Sequence, residues 1–209
     1  MAIITITSLA TSGTTASKIQ ELEKILSSFS VRFVIGTKVQ DPNTIQITSE
    51  WSKATSFSEL ASFPDFASFQ SQMHDLGATT FSANMDHSPF ENGSAPLIEY
   101  VKSDFPASST RDFKMQIETG FARFETLYRK RGDFQSTGEV FLSVGWTEEH
   151  LKGQDKITSF LVVRGWVDMS RFEESIQTEV FKEAIPILMG WGAPFDLYHV
   201  ERKAGREGL

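Results

Sequence analysis

The sequence carries one pattern twice. Trp51, Phe57, Phe66, Leu76, Gly77 and Ala78 are answered by Trp166, Phe172, Phe181, Trp191, Gly192 and Ala193, each pair 115 residues apart. Aromatic and glycine positions held at one offset point to two versions of a single supersecondary unit. Whatever fold the first half adopts, the second half must be able to adopt as well.

Each half reads as β-α-β-β-α-β. In the first, Ile4 and Ile6 alternate with Thr5 and Thr7, which predicts a half-buried strand over Ala2–Leu9. Ile19, Leu22, Ile25, Leu26 and Phe29 recur at helical spacing, so a helix is expected from Ala16 to Phe29. Val31–Val39 and Thr44–Trp51 are strands around Asp41-Pro42-Asn43, Phe57–Met73 is helical with Pro64 inside it, and Ala78–Asp86 closes the unit. A turn-rich linker, Ser88 to Pro96, follows. The second half repeats the order. Strands are expected at Leu97–Lys102, Glu139–Trp146, Ile157–Trp166 and Phe195–Arg202. Helices are expected at Ser109–Arg131 and Ser170–Met189, the latter opened by a Ser170/Glu173 capping box. Residues 203–209 read as a frayed tail. The domain reading is therefore two units, 1–88 and 96–203.

This β-α-β-β-α-β order is the ferredoxin-like unit. Its sheet has helices on one face only, so the other face needs a cover. Two tandem units can supply it for each other, which predicts an α+β fold closed as an intramolecular pseudo-dimeric α/β barrel.

A third strand that ends in Trp51, followed by Phe57 and then Phe63-Pro64-Asp65-Phe66, resembles the dimeric α/β-barrel superfamily and, within it, the antibiotic-biosynthesis-monooxygenase branch. The resemblance covers both halves. It implies one of several activities, among them cofactor-free oxidation of polyketide phenols, haem degradation or peroxidation, and polyketide cyclisation. It also implies a site between the sheet and its helices, built from Asn, Trp, His, Tyr or Arg.

Composition narrows the choice. The net charge of −7 argues against a nucleic-acid or anionic-membrane partner, which calls for a basic face. With no cysteine, disulfides, thiolate catalysis and Cys-ligated metals are excluded. Nothing approaches the run of about 20 apolar residues that a membrane span needs, and the N-terminus reads as a strand, so a cytoplasmic protein is expected. P-loop, Gly-x-Ser-x-Gly, Gly-x-Gly-x-x-Gly and His-Glu-x-x-His motifs are absent, and the four histidines are scattered. No metal site and no organic cofactor are expected.

Differences between the halves mark where a site could sit. At the 115 offset Asn84 meets His199, Ala83 meets Tyr198 and Asp86 meets Glu201. His199 is the preferred general acid or base, since its unperturbed pKa near 6.5 suits proton transfer at neutrality. A surface histidine on a strand explains it equally well. Tyr198 must point to the opposite face. Arg164 and Trp166 share a strand face, where the arginine could hold a phenolate or enolate and the tryptophan could stack on a ring. A core tryptophan beside a snorkelling arginine is the bland alternative. Glu99 and Tyr100 are further polar candidates. In the first half Trp51, His74 and Asn84 permit a haem reading, implied by haem-degrading relatives; a helix-end histidine favoured by the dipole is the simpler account of His74.

Three functions follow: a cofactor-free enzyme of secondary metabolism acting on an aromatic or polyketide-like substrate, a haem enzyme, and a non-catalytic ligand-binding barrel. A doubled chain does not need a partner copy, and a homodimer stays open.

Overall fold

The computed structural model describes residues 1–11, 15–29, 31–51, 53–91, 95–129 and 138–206. The first half runs β1 (Ala2–Ala10), α1 (Thr15–Ser27), β2 (Arg32–Lys38), β3 (Thr44–Glu50), α2 (Phe57–Ser62), α3 (Pro64–Asp75) and β4 (Thr79–Met85). The second runs β5 (Leu97–Pro106), α4 (Arg111–Tyr128), β6 (Glu139–Thr147), β7 (His150–Lys152), β8 (Asp155–Trp166), α5 (Met169–Gln177), α6 (Glu179–Ala184), α7 (Pro186–Met189) and β9 (Phe195–Arg206).

Strand order within the first half is β2-β3-β1-β4, and within the second it is β9-β5-β8-β6. Both are the ferredoxin-like order. Two seams join them: β2 pairs with β9, and β4 pairs with β6. Eight antiparallel strands thereby close into a barrel, and β7 hangs on β8 as a hairpin extension turned at Gly153. The seams share a device. Gly36 on β2 pairs across to Gln46, and Gly145 on β6 pairs across to Leu161, so the two glycines hold matching register positions. A Cβ on Gly36 would run into the carbonyl of Glu201 on β9, and one on Gly145 into the carbonyl of Asn84 on β4.

Closure buries both faces of the strands. Ile4, Ile6, Val34, Met85, Ile98, Tyr100, Leu161, Val163 and Val200 form the lumen core. The outward residues pack under helices: Ile3, Phe33, Ile35, Ile45 and Ile47 beneath α1 to α3, and Phe105, Phe160 and Val162 beneath α4 to α7. The expected half-buried β1 is thus buried on both sides. Its outward threonines satisfy their hydroxyls sideways, Thr5 on Ser49 at 3.0 Å and Thr7 on Thr80 at 2.8 Å.

Three sequence expectations change. The helix expected from Ser170 starts at Met169, because Asp168 takes the cap and accepts from the Arg171 backbone N–H at 3.0 Å. It then breaks at Thr178 and again before Pro186, giving α5, α6 and α7. The expected frayed tail is instead strand as far as Arg206. Its guanidinium donates to the carbonyls of Phe29 and Val31, pinning the end of β9 to the first half. Finally, α4 ends at Tyr128 with Arg129 as its cap; Lys130 and Arg131, expected in the same helix, lie outside the described residues.

Candidate functional site

Between the sheet and helices of the second half lies a cavity of about 110 Å³. Its floor is strand: Glu99, Val101 and Ser103 of β5, Phe160, Val162, Arg164 and Trp166 of β8, and Phe195 and Leu197 of β9. Its roof is helical: Phe121, Phe124 and Tyr128 of α4, Phe172, Ser175 and Ile176 of α5, Phe181 of α6 and Leu188 of α7, with Ile185 and Trp191 beside them. Nearly half of the lining residues are aromatic, and the charged ones, Glu99 and Arg164, are paired neighbours at one end.

That polar end is a buried charge network. Arg164, 5% exposed, donates from Nη1 to Glu139 Oε2 at 2.6 Å and from Nη2 to Glu125 Oε1. Arg129 bridges the same two carboxylates, Nε to Glu125 at 2.8 Å and Nη2 to Glu139 at 2.9 Å. The Arg164 guanidinium also lies 5.5 Å from the centre of the Tyr128 ring and 5.9 Å from that of Trp166. Burial works against its charge, but Glu125, Glu139 and Glu99 outweigh burial and hold it protonated.

Glu99 stands apart from these pairs. Its Oε2 accepts from Trp166 Nε1 at 2.6 Å, and the carboxyl is buried on the cavity wall. Burial pushes its pKa above the ordinary carboxylate value, against the pull of Arg164 and the Trp166 hydrogen bond. A carboxyl whose pKa burial has raised, set in an apolar cavity, is a candidate for proton transfer.

The first half shows why this cavity exists. Thr5 pairs with Ser49 and is touched by Trp51 Nε1 at 3.3 Å, in the register positions that Glu99, Arg164 and Trp166 occupy in the second half. Over Trp51 the space is filled by Phe66, Phe69 and Phe29, at ring distances of 5.0, 5.5 and 6.3 Å. At the 115 offset Phe69 becomes Ala184 and Leu60 becomes Ser175, whereas Phe66 stays aromatic as Phe181. Two large side chains are missing from the second half, and two neutral hydroxyls have become a carboxylate and a guanidinium.

Against solved structures the chain is similar along its whole length. A protein described as anthrone oxidase-like superposes with a TM-score of 0.61 at 10% identity, covering 98% of this chain and 92% of that one. A candidate monooxygenase of Lactobacillus acidophilus NCFM gives 0.60 at 10%, covering 98% and 95%. A protein described as a major regulator of staphylococcal pathogenesis gives 0.56 at 13%, covering 96% and 99%. The chain has the dimeric α/β-barrel fold. No family model and no curated protein matches its sequence.

Within this α/β barrel the expected site residues separate. Arg164, Trp166 and Glu99 converge on the cavity wall. Tyr100, a further polar candidate, and Tyr198 do not converge there: both point into the lumen, stacked at 5.3 Å. Tyr100 shares a 2.6 Å hydrogen bond with Thr48, and burial pushes its pKa up to about 12. Strand alternation dictates this, since each is one residue from an outward neighbour, Glu99 or His199.

His199 faces the helices but is not on the cavity wall. Its backbone N–H donates to Gln40 Oε1 at 2.9 Å, which turns the Gln40 amide nitrogen toward Nδ1 at 3.1 Å. Nδ1 therefore accepts, the proton sits on Nε2, and Nε2 is buried without a partner. Burial lowers its pKa to about 4. At neutral pH His199 is uncharged with its basic nitrogen occupied, which does not suit the acid–base role expected of it. The equivalence with Asn84 also shifts. Register sets Ser82, not Asn84, opposite Thr5 as His199 is opposite Glu99, because His199 lies two residues further from Gly192 than Ser82 does from Gly77.

The haem set does not fit. Trp51 is enclosed in the aromatic cluster above, His74 is exposed on α3, and Asn84 is half-buried on β4 against Trp146. No histidine lines the second-half cavity, which is far too small for a porphyrin. Among the described residues no group of three or more His, Asp or Glu side chains could hold a metal ion, and no helix is long and apolar enough to cross a membrane.

Proposed function

We propose that the second half is the active site of a small-molecule enzyme that acts on an aromatic substrate without an organic cofactor, with Glu99 as its general base. The supporting observation is a buried carboxyl of raised pKa on the wall of an aromatic cavity, where the other half has a threonine under a solid core. Glu99 takes the proton of a substrate O–H or of an activated C–H, and Trp166 Nε1 holds the carboxylate in place. Arg164, fixed by Glu125 and Glu139, supplies positive potential from behind and stabilises the anion that forms. If the anion meets O2, one oxygen atom bonds to the ring carbon and the other leaves as water with two substrate hydrogens. Without O2 the same proton abstraction opens cyclisation or decarboxylation. Fold neighbours described as monooxygenase and anthrone oxidase-like support the oxidative branch.

The reading extends to the whole chain. Units 1–88 and 96 onward are copies of one antibiotic-biosynthesis-monooxygenase-like module, the first kept solid as scaffold. The setting is cytoplasmic secondary metabolism, and a homodimer is compatible with it.

The test is O2 uptake and product analysis with hydroxylated aromatics. Glu99→Gln should cut turnover by about 10² to 10⁴ and leave the fold intact. Full activity in that variant would remove Glu99 from the chemistry. A second reading, a ligand-binding barrel, draws on the likeness to the staphylococcal regulator. It gains if ligands bind and nothing is consumed.

A further inference from the structure

The site also limits what can enter it. Resting on the reading above, we propose that its ligand is an uncharged, single-ring aromatic compound carrying one O–H or N–H donor for Glu99, rather than a polycyclic phenol or an anion. Size comes first. At about 110 Å³ the cavity is of the order of the ~150 Å³ apolar cavity that holds a benzene ring. Two fused rings would need the aromatic wall to move. Leu197, at the β9 side of the cavity, is 42% exposed, so this edge of the site lies near the surface.

Charge comes second. Sequence alone makes Arg164 a clamp for a phenolate or enolate. In the structure both its terminal nitrogens are closed by carboxylates, Glu139 and Glu125, and it is almost wholly buried. An incoming carboxylate would meet the Glu99 carboxyl and a guanidinium already paired with two glutamates. Glu99 spends one oxygen on Trp166, and no other hydrogen bond to it is found among the described residues. An acceptor on the wall of an apolar cavity selects a donor, and a ligand that lacks one leaves it unpaired.

Calorimetric titration of the full chain at pH 7 with phenol, toluene, benzoate and anthrone tests this. Phenol should bind tightest. Toluene should bind at least tenfold more weakly, benzoate weaker still, and anthrone not at all. Ser175→Leu with Ala184→Phe, which installs the residues of the first half, should abolish phenol binding while circular dichroism stays unchanged. If that variant does not fold, the wild-type series still decides. Benzoate or anthrone binding as tightly as phenol overturns the proposal, as does no binding by any of the four. Phenol binding without turnover or O2 uptake leaves this inference standing and removes the enzyme reading. Anthrone turnover does the reverse.

Discussion

At the residue scale, burial has opposite consequences for the two titratable groups placed side by side by the β5–β9 register, Glu99 and His199. Burial raises the Glu99 pKa above 4.5. The stability it contributes is complete below pH 4.5 and is lost as pH rises through its folded-state value. Urea unfolding followed against pH should therefore show Glu99→Gln gaining on wild type as pH climbs toward neutrality. His199 is the mirror case, lowered from 6.5 to about 4. Its contribution is present above pH 6.5 and is lost as pH falls toward 4, so His199→Gln should flatten the acid limb of the stability curve. Arg164 obeys a different rule. Removing one member of a buried charge network strands the others at a cost of about 3–5 kcal/mol, and Arg164→Ala should show a loss of that size in chemical denaturation. Arg164, Trp166 and Glu99 were legible in the sequence because strand alternation can be read locally. Glu125 and Glu139 were missed. The signal for Glu125 was there, a carboxylate one turn beyond Phe121 on the apolar stripe of α4. His199 drew the acid–base assignment because its lock, Gln40, is 159 residues away and no local pattern reveals it.

At the element scale, the helical segments decide which half is hollow. α2 and α3 press Leu60, Phe66 and Phe69 onto Trp51, whereas α5 and α6 carry Ser175, Phe181 and Ala184 at the matching positions, and Ser175 and Phe181 line a cavity with Trp166. The constant offset made the matching aromatic positions visible. The same offset, applied to the positions that differ in size, would have located the cavity as well. What it could not show is the slip of two residues between Gly192 and His199, because an insertion leaves the periodicity of the strand untouched. Helix starts were misplaced for a related reason: Ser170 looks like a cap, but Asp168 is charged and nearer the positive helix end, and Ser170 Oγ donates to it at 2.7 Å. Asp168→Ala removes the cap and should lower the unfolding midpoint. Because α5 carries Phe172 and Ser175, the same variant should also loosen ligand binding.

At the scale of the whole molecule, the barrel depends on the last strand. β9 lies between β5 of its own half and β2 of the other, and Arg206 ties its end to the carbonyls after α1. A chain cut after Arg202 loses the register from Phe33 to Ile35 and this anchor together. It should melt well below wild type and bind a dye for exposed apolar surface. The closed barrel could be read from the sequence because a one-sided sheet must be covered. Its seams could not, since which strands meet is set by three-dimensional closure. Gly36 and Gly145 give those seams a meaning beyond stability. Roof helices can trade phenylalanine for alanine and turn a solid half into a hollow one without touching the staves. The two bare backbone positions have no such latitude, because any side chain there strikes the neighbouring half. Evolution acting on this architecture is therefore expected to rewrite the upholstery many times and to leave both glycines in place.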